Sequence, residues 1–172
     1  MNIVLDIDGT ICFDGRQIDC KITDQLFSLH NIGHKIIFAS ARPIRDLLPV
    51  LPNKSRIGGN GSIISINGRI KTLATNQFET FNVIKHVINQ YNLNYIVDDE
   101  WNYAARVDAT NTIYQRLDPQ LLTQKLTINE ITSPIKTILL NIDEKDFDEV
   151  VTYIATNAPS LSLINHSNEL NI

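Results

Sequence analysis

The 172-residue sequence is short of cysteine, of basic runs and of long apolar stretches, and each shortage closes off a class of protein. Its 2 cysteines, Cys12 and Cys20, form no CxxC pair and join no Cys/His cluster. That argues against a disulfide framework or a zinc ribbon and predicts reduced thiols in a cytoplasmic protein. The four histidines, His30, His34, His86 and His166, show no metal-ligand spacing. With 15 Lys+Arg against 19 Asp+Glu the net charge is -4, and no basic run or basic-aromatic stripe is present. Nucleic acid is therefore not an expected partner. No stretch approaches the ~18 uninterrupted apolar residues of a membrane span. The first residues, MNIVLDIDGT, carry two carboxylates where a secretory leader would carry cations and an apolar run. No repeat of fixed period, low-complexity tract or flexible linker interrupts the chain.

What is present is a 43% hydrophobic chain, enough for a buried core in one ordinary domain or two small ones. Ile3-Val4-Leu5 running into Asp-x-Asp-Gly reads as a short buried strand that turns at its C-terminal end. Ile22, Leu26, Leu29 and Ile32 recur at helical spacing, with Thr23 or Asp24 as N-cap and Gly33 as the left-handed C-terminal residue. Residues 35–40 give a second strand, and Pro43 opens a short helix through Leu48. The β-α-β-α order predicts an α/β fold with a parallel, Rossmann-like sheet. Asn67-Gly68 between two β-rich segments marks a hairpin. Beyond it we expect a helix carrying Phe81, Ile84, Ile88 and Tyr91 on one face, strands at 94–98 and 103–107, a helix at 118–126, and a strand at 135–142. A helix around Phe147 to Ile154 and strands at 161–165 and 169–172 complete the reading. The natural boundary lies near 74–79, dividing the chain into 1–74 and 75–172.

Asp6 and Asp8 stand two apart at a strand end, with Gly9-Thr10 allowing the backbone to turn beneath them. Two carboxylates about 4 Å apart repel by roughly 4 kcal/mol at an effective dielectric near 20, so a cation or shared proton is expected between them. Hard oxygen donors suit Mg²⁺, and an Asp can attack phosphorus. An acidic turn capping a strand explains the same four letters.

The DIDGT run at 6–10 resembles the DxDGT signature of haloacid dehalogenase-superfamily phosphatases. FASARP at 38–43 is similar to the second motif of that superfamily, in the form seen in Cof-type phosphatases. GGNGSII at 58–64 resembles the NGA segment that follows there, and TILLNIDEKDFDEV at 137–150 looks like a strand and helix of their type IIB cap. The resemblance implies a core at 1–74 and an inserted α/β cap domain at 75–172. It also implies Mg²⁺-dependent hydrolysis of small phosphorylated metabolites, sugar phosphates foremost, through an aspartyl-phosphate. Asp6 is then the nucleophile and Asp8 the acid/base, and both hold Mg²⁺. Gly9, Thr10, Ser40 and Ala41 bind phosphate, through a hydroxyl and turn N–H groups that form an anion site. Arg42 and Asn60 face the substrate. Ser40 also reads as a helix N-cap, Arg42 as a surface charge, and Asn60 as half of an Asn-Gly turn. Asp98-Asp99-Glu100 beside Trp101 reads as a group for a substrate hydroxyl or cation, or as an acidic turn between strands.

Two elements of the family find no match by position: the Lys that steadies phosphate, and the acidic Gly-Asp-x-x-Asn-Asp motif. In the resembling fold the first strand is flanked on its other side by a strand that this chain lacks, so it becomes a sheet edge, and a homodimer, a complementing chain or aggregation is expected there. A phosphomutase, or a non-catalytic protein that binds a phosphorylated ligand or a partner, remains open beside the phosphatase.

Overall fold

The computed structural model describes residues 1–51, 54–166 (the His166 side chain excepted) and 168–172. It divides into two compact units, one of Met1–Ala74 with Arg116–Leu122, the other of Thr75–Gln115 with Thr123–Ile172.

The first unit is built on a five-stranded sheet in the order β1-β2-β3-β4-β5: β1 (Asn2–Asp6), β2 (Lys35–Ala39), β3 (Arg56–Gly58), β4 (Ile63–Ile66) and β5 (Arg69–Thr72). β1, β2 and β3 run parallel, with Asp6 opposite Ala39 and Ala39 opposite Ile57. β4 and β5 then add an antiparallel hairpin whose turn residues, Asn67 and Gly68, both take positive φ. That is the geometry two-residue hairpins require.

The crossover from β1 to β2 is α1 (Cys20–Asn31). Its N-cap is Asp19, whose carboxylate accepts the Lys21 N–H, so the helix starts one turn before the Thr23 or Asp24 cap expected from sequence. Its C-terminal end follows the sequence, with Gly33 at φ 93. Ile22, Leu26 and Leu29 are only half-buried, and the helix contributes no buried residue. α2 (Ile44–Leu47), by contrast, is buried along its whole length.

The second unit holds a six-stranded sheet in the order β10-β11-β9-β6-β7-β8: β6 (Asn94–Asp98), β7 (Tyr103–Arg106), β8 (Lys125–Leu126), β9 (Lys136–Leu140), β10 (Ile164–His166) and β11 (Glu169–Asn171). α3 (Phe78–Gln90) and α4 (Glu144–Asn157) pack on it. Phe81, Ile84, Val87 and Ile88 of α3 and Val150 and Ile154 of α4 close the core over Val97 and Leu139. These residues belong to one continuous apolar cluster, and burying side chains of this kind contributes about 1.5–3 kcal/mol each.

The helix expected at 118–126 is absent. Residues 114–116 make one 3₁₀ turn, Asp118 and Leu121 take positive φ, and Lys125–Leu126 pair as a strand. The segment is held instead through a buried polar residue, Asp118, whose N–H donates to the carboxylate of Asp46 at 2.9 Å.

Candidate active site

The site grows from the ends of two neighbouring parallel strands. β1 delivers Asp6 and β2 delivers Ser40, one residue past Ala39. The carboxyl ends of parallel strands are where open α/β sheets bind ligands. After Asp6 the chain buries Ile7 completely and folds back on it: the Ile7 carbonyl accepts N–H bonds from Thr10, Ile11 and Cys12 at 3.3, 3.0 and 2.9 Å. Gly9, at φ 78, makes this turn possible. Asp6 and Asp8 therefore flank a buried anchor and are both exposed.

Their surroundings differ. The Thr10 hydroxyl donates to Asp6 Oδ2 at 2.9 Å, and no cation among the described residues pairs with Asp6. Asp8 is held by Arg42: Nε donates to Oδ2 at 2.9 Å and Nη2 to Oδ1, while the Ser40 hydroxyl adds a long contact to Oδ2 at 3.4 Å. Ser40 is buried, and its Oγ accepts the Arg42 N–H at 3.1 Å. It thus steadies the turn that presents Arg42. It is not the cap of α2, since Pro43 holds that position.

Thr10, Ser40, Ala41 and Arg42 all lie on the segments that follow β1 and β2. The Gly9 N–H donates to the Cys12 carbonyl at 3.0 Å, so this structure uses that donor within the turn. Asn60 sits at φ 53 in the 3₁₀ turn Gly59–Gly61, exposed. This is the Asn-Gly turn reading, with the Gly59 N–H on the Arg42 carbonyl at 2.7 Å. Asp99 belongs to the turn between β6 and β7. Its N–H donates to the Asn102 carbonyl at 3.0 Å and its carboxylate accepts the Ser133 N–H at 2.7 Å, as an acidic turn does.

Sequence reasoning missed Asp14 and Gly15. Asp14 accepts the N–H groups of Arg16 at 2.8 Å and Gln17 at 3.0 Å, and these bonds, that from Gln17 first, hold its carboxyl below the usual carboxylate range. The Gly15 carbonyl accepts Arg42 Nη1 at 2.9 Å. Asp14-Gly15 is a recognisable turn pair in the sequence, whereas its contact with Arg42 is not visible there. Burial pushes the nearby Cys12 thiol up, which suits an inert residue of the loop.

A family model of haloacid dehalogenase-like hydrolases matches residues 3–172, and the chain belongs to that family. Its fold is similar to that of a haloacid dehalogenase-like hydrolase from Bacteroides thetaiotaomicron, with a TM-score of 0.80 and 16% identity over 99% of this chain and 69% of the other. A subclass IIB sugar phosphatase of the same superfamily gives a TM-score of 0.71 and 16% identity over 99% of this chain and 68% of the other. A haloacid dehalogenase-like hydrolase from B. subtilis gives 0.77 and 12%, over 99% and 72%. The chain thus spans about two thirds of the length of these structures. No curated protein sequence matches it.

Proposed function

We propose that the protein is a phosphatase of small phosphorylated metabolites, sugar phosphates foremost, with Asp6 as the attacking carboxylate. The observation that carries this reading is the inequality of the two carboxylates: Asp6 is exposed, oriented by Thr10 and unpaired by any described cation, while both oxygens of Asp8 are engaged. An Asp6 oxygen forms a bond to phosphorus as the bond from phosphorus to the ester oxygen breaks, and the departing oxygen takes a proton from Asp8. Water then attacks the aspartyl-phosphate, Asp8 recovers a proton from that water, and Asp6 is released as a carboxylate. Asp8 can do this only when Arg42 lets go, and an incoming phosphate is a suitable alternative partner for the guanidinium.

The donor set is that of an open Mg²⁺ site. Mg²⁺ is commonly held by one or two carboxylates, substrate phosphate and water, and the exposed Asp6 carboxylate with the Asp8 backbone carbonyl would supply the protein's oxygens. The ion supplies neutralisation of charge between carboxylate and phosphate. Among the described residues no group of three His, Cys, Asp or Glu is placed to hold a metal, so water and substrate phosphate would complete the shell of the ion.

The grip of Arg42 on Asp8 favours a second reading, in which a phosphorylated ligand is bound without turnover. Asp6→Asn separates the two. In a Mg²⁺-dependent assay with an aryl phosphate, the phosphatase reading expects wild-type phosphate release that the variant abolishes. Undiminished release in the variant removes Asp6 as nucleophile, and no release from either protein favours the binding reading.

A further inference from the structure

Arg116 lies far from the site in sequence and beside it in the fold. It ends the 3₁₀ turn Tyr114–Arg116 and begins the segment that returns to the first unit. Gly15, buried and at φ 71, receives it: a Cβ built there would stand 2.8 Å from Arg116 Nη1 and 3.1 Å from Arg42 Nη2. Two guanidinium groups thus approach one glycine, where a Cβ would displace the end of the Arg116 side chain.

Their states differ. Arg42 directs Nε and Nη2 to Asp8 and Nη1 to the Gly15 carbonyl. Arg116 is exposed and has no hydrogen bond or carboxylate partner among the described residues. Nor is it loosely placed. Two residues on, buried Asp118 donates its N–H to Asp46 Oδ1 at 2.9 Å, and the same oxygen accepts Arg45 Nε at 2.8 Å within a buried pair. The Asp118 carboxylate in turn accepts the Leu122 N–H at 2.8 Å. An exposed, unpaired cation on an anchored backbone beside a second cation is an unfavourable placement unless an anion comes between them.

We propose that Arg116 is a specificity-determining residue that, beside Arg42, recognises a second anionic group on the substrate, a carboxylate or a second phosphate carried by the alcohol portion of the phosphate ester. This rests on the phosphatase reading and narrows its substrates from neutral sugar phosphates to acidic ones. Arg42 touches Asp8, the group assigned to the leaving oxygen, and Arg116 lies beside the same glycine. The second anion is therefore read next to the leaving group. A guanidinium fork suits both carboxylate and phosphate.

Calorimetric titration of the 172-residue chain in Mg²⁺ tests this with three probes: glucose 6-phosphate, 6-phosphogluconate and fructose 1,6-bisphosphate. At least one of the two doubly anionic esters is expected to bind about tenfold tighter than glucose 6-phosphate, as one charge-assisted hydrogen bond allows. Which of them shows the gain separates carboxylate from phosphate. In Arg116→Ala the ratio falls towards one, and Arg116→Lys restores part of it. A ratio near one in the wild type, or one that survives in Arg116→Ala, overturns the proposal while leaving the phosphatase reading intact. Binding of none of the three overturns both.

Discussion

Arg42 holds Asp8 in a fork, Nε on Oδ2 at 2.9 Å and Nη2 on Oδ1, and uses its remaining nitrogen on the Gly15 carbonyl. The Asp8 side chain is 41% exposed, so the pair contributes no more than about 1 kcal/mol to stability. Arg42→Ala should consequently fold, with a denaturation free energy within about 1 kcal/mol of wild type. Its affinity for inorganic phosphate should fall by about tenfold or more, the worth of a charge-assisted hydrogen bond. Urea titration and phosphate titration together check this. A loss of several kcal/mol with unchanged phosphate affinity would assign Arg42 to the fold instead of the site.

Asp14 gives the loop that carries Gly15 a pH dependence of known sign. Backbone N–H bonds hold its folded pKa below the unfolded value of about 4. Its contribution is therefore present above pH 4 and is lost as pH falls through the folded value. Melting temperature should decline on acidification from pH 5 to 3 more steeply in wild type than in Asp14→Asn. Parallel curves would show that the turn does not couple to folding.

Much of this site is legible in the sequence because it is local. Asp6, Asp8, Gly9 and Thr10 sit on one turn, and Ser40 and Arg42 follow the adjacent strand, so a strand-end motif and β-α-β order suffice to bring them together. Asn67-Gly68 and Gly33 were readable for the same reason, since their backbone angles demand those residue types. Arg116 and Asp46 were not readable. Their placement depends on a hydrogen bond spanning 72 residues, and no periodicity encodes a buried Asp that accepts a distant N–H.

That distant bond makes Asp46 the holding point for the returning segment. Asp46 Oδ1 accepts both Arg45 Nε at 2.8 Å and the Asp118 N–H at 2.9 Å, with all three residues buried. Asp46→Ala removes the carboxylate from a buried pair, which typically costs about 3–5 kcal/mol. The expected results are a loss of that order in urea denaturation and faster hydrogen exchange at the Leu121 and Leu122 amides, which now donate to the Asp118 carbonyl and carboxylate. Unchanged exchange there would mean that the segment is held by other contacts.

The last prediction concerns β1. Among the described residues it pairs only with β2, which leaves one side of Asn2–Asp6 as a sheet edge. The strand is short of the devices that blunt such edges, having no Lys and no Pro. Val4 is 57% exposed in its middle, and Met1 and the α1 residue Phe27 are exposed at 78% and 60%. The N–H and C=O groups of β1 that point away from β2, beside apolar side chains, form a template for another strand. We therefore expect the chain to associate, either with itself or with a complementing polypeptide. In sedimentation velocity the purified protein should shift to larger species as concentration rises. Val4→Lys, which places a charge on the exposed face without touching a buried residue, should hold it as a monomer with an unchanged far-ultraviolet circular dichroism spectrum. A wild type that stays monomeric throughout the concentration range rules out self-association. If it also takes up no added strand-forming peptide, the edge is closed by some feature other than pairing, and the expectation fails.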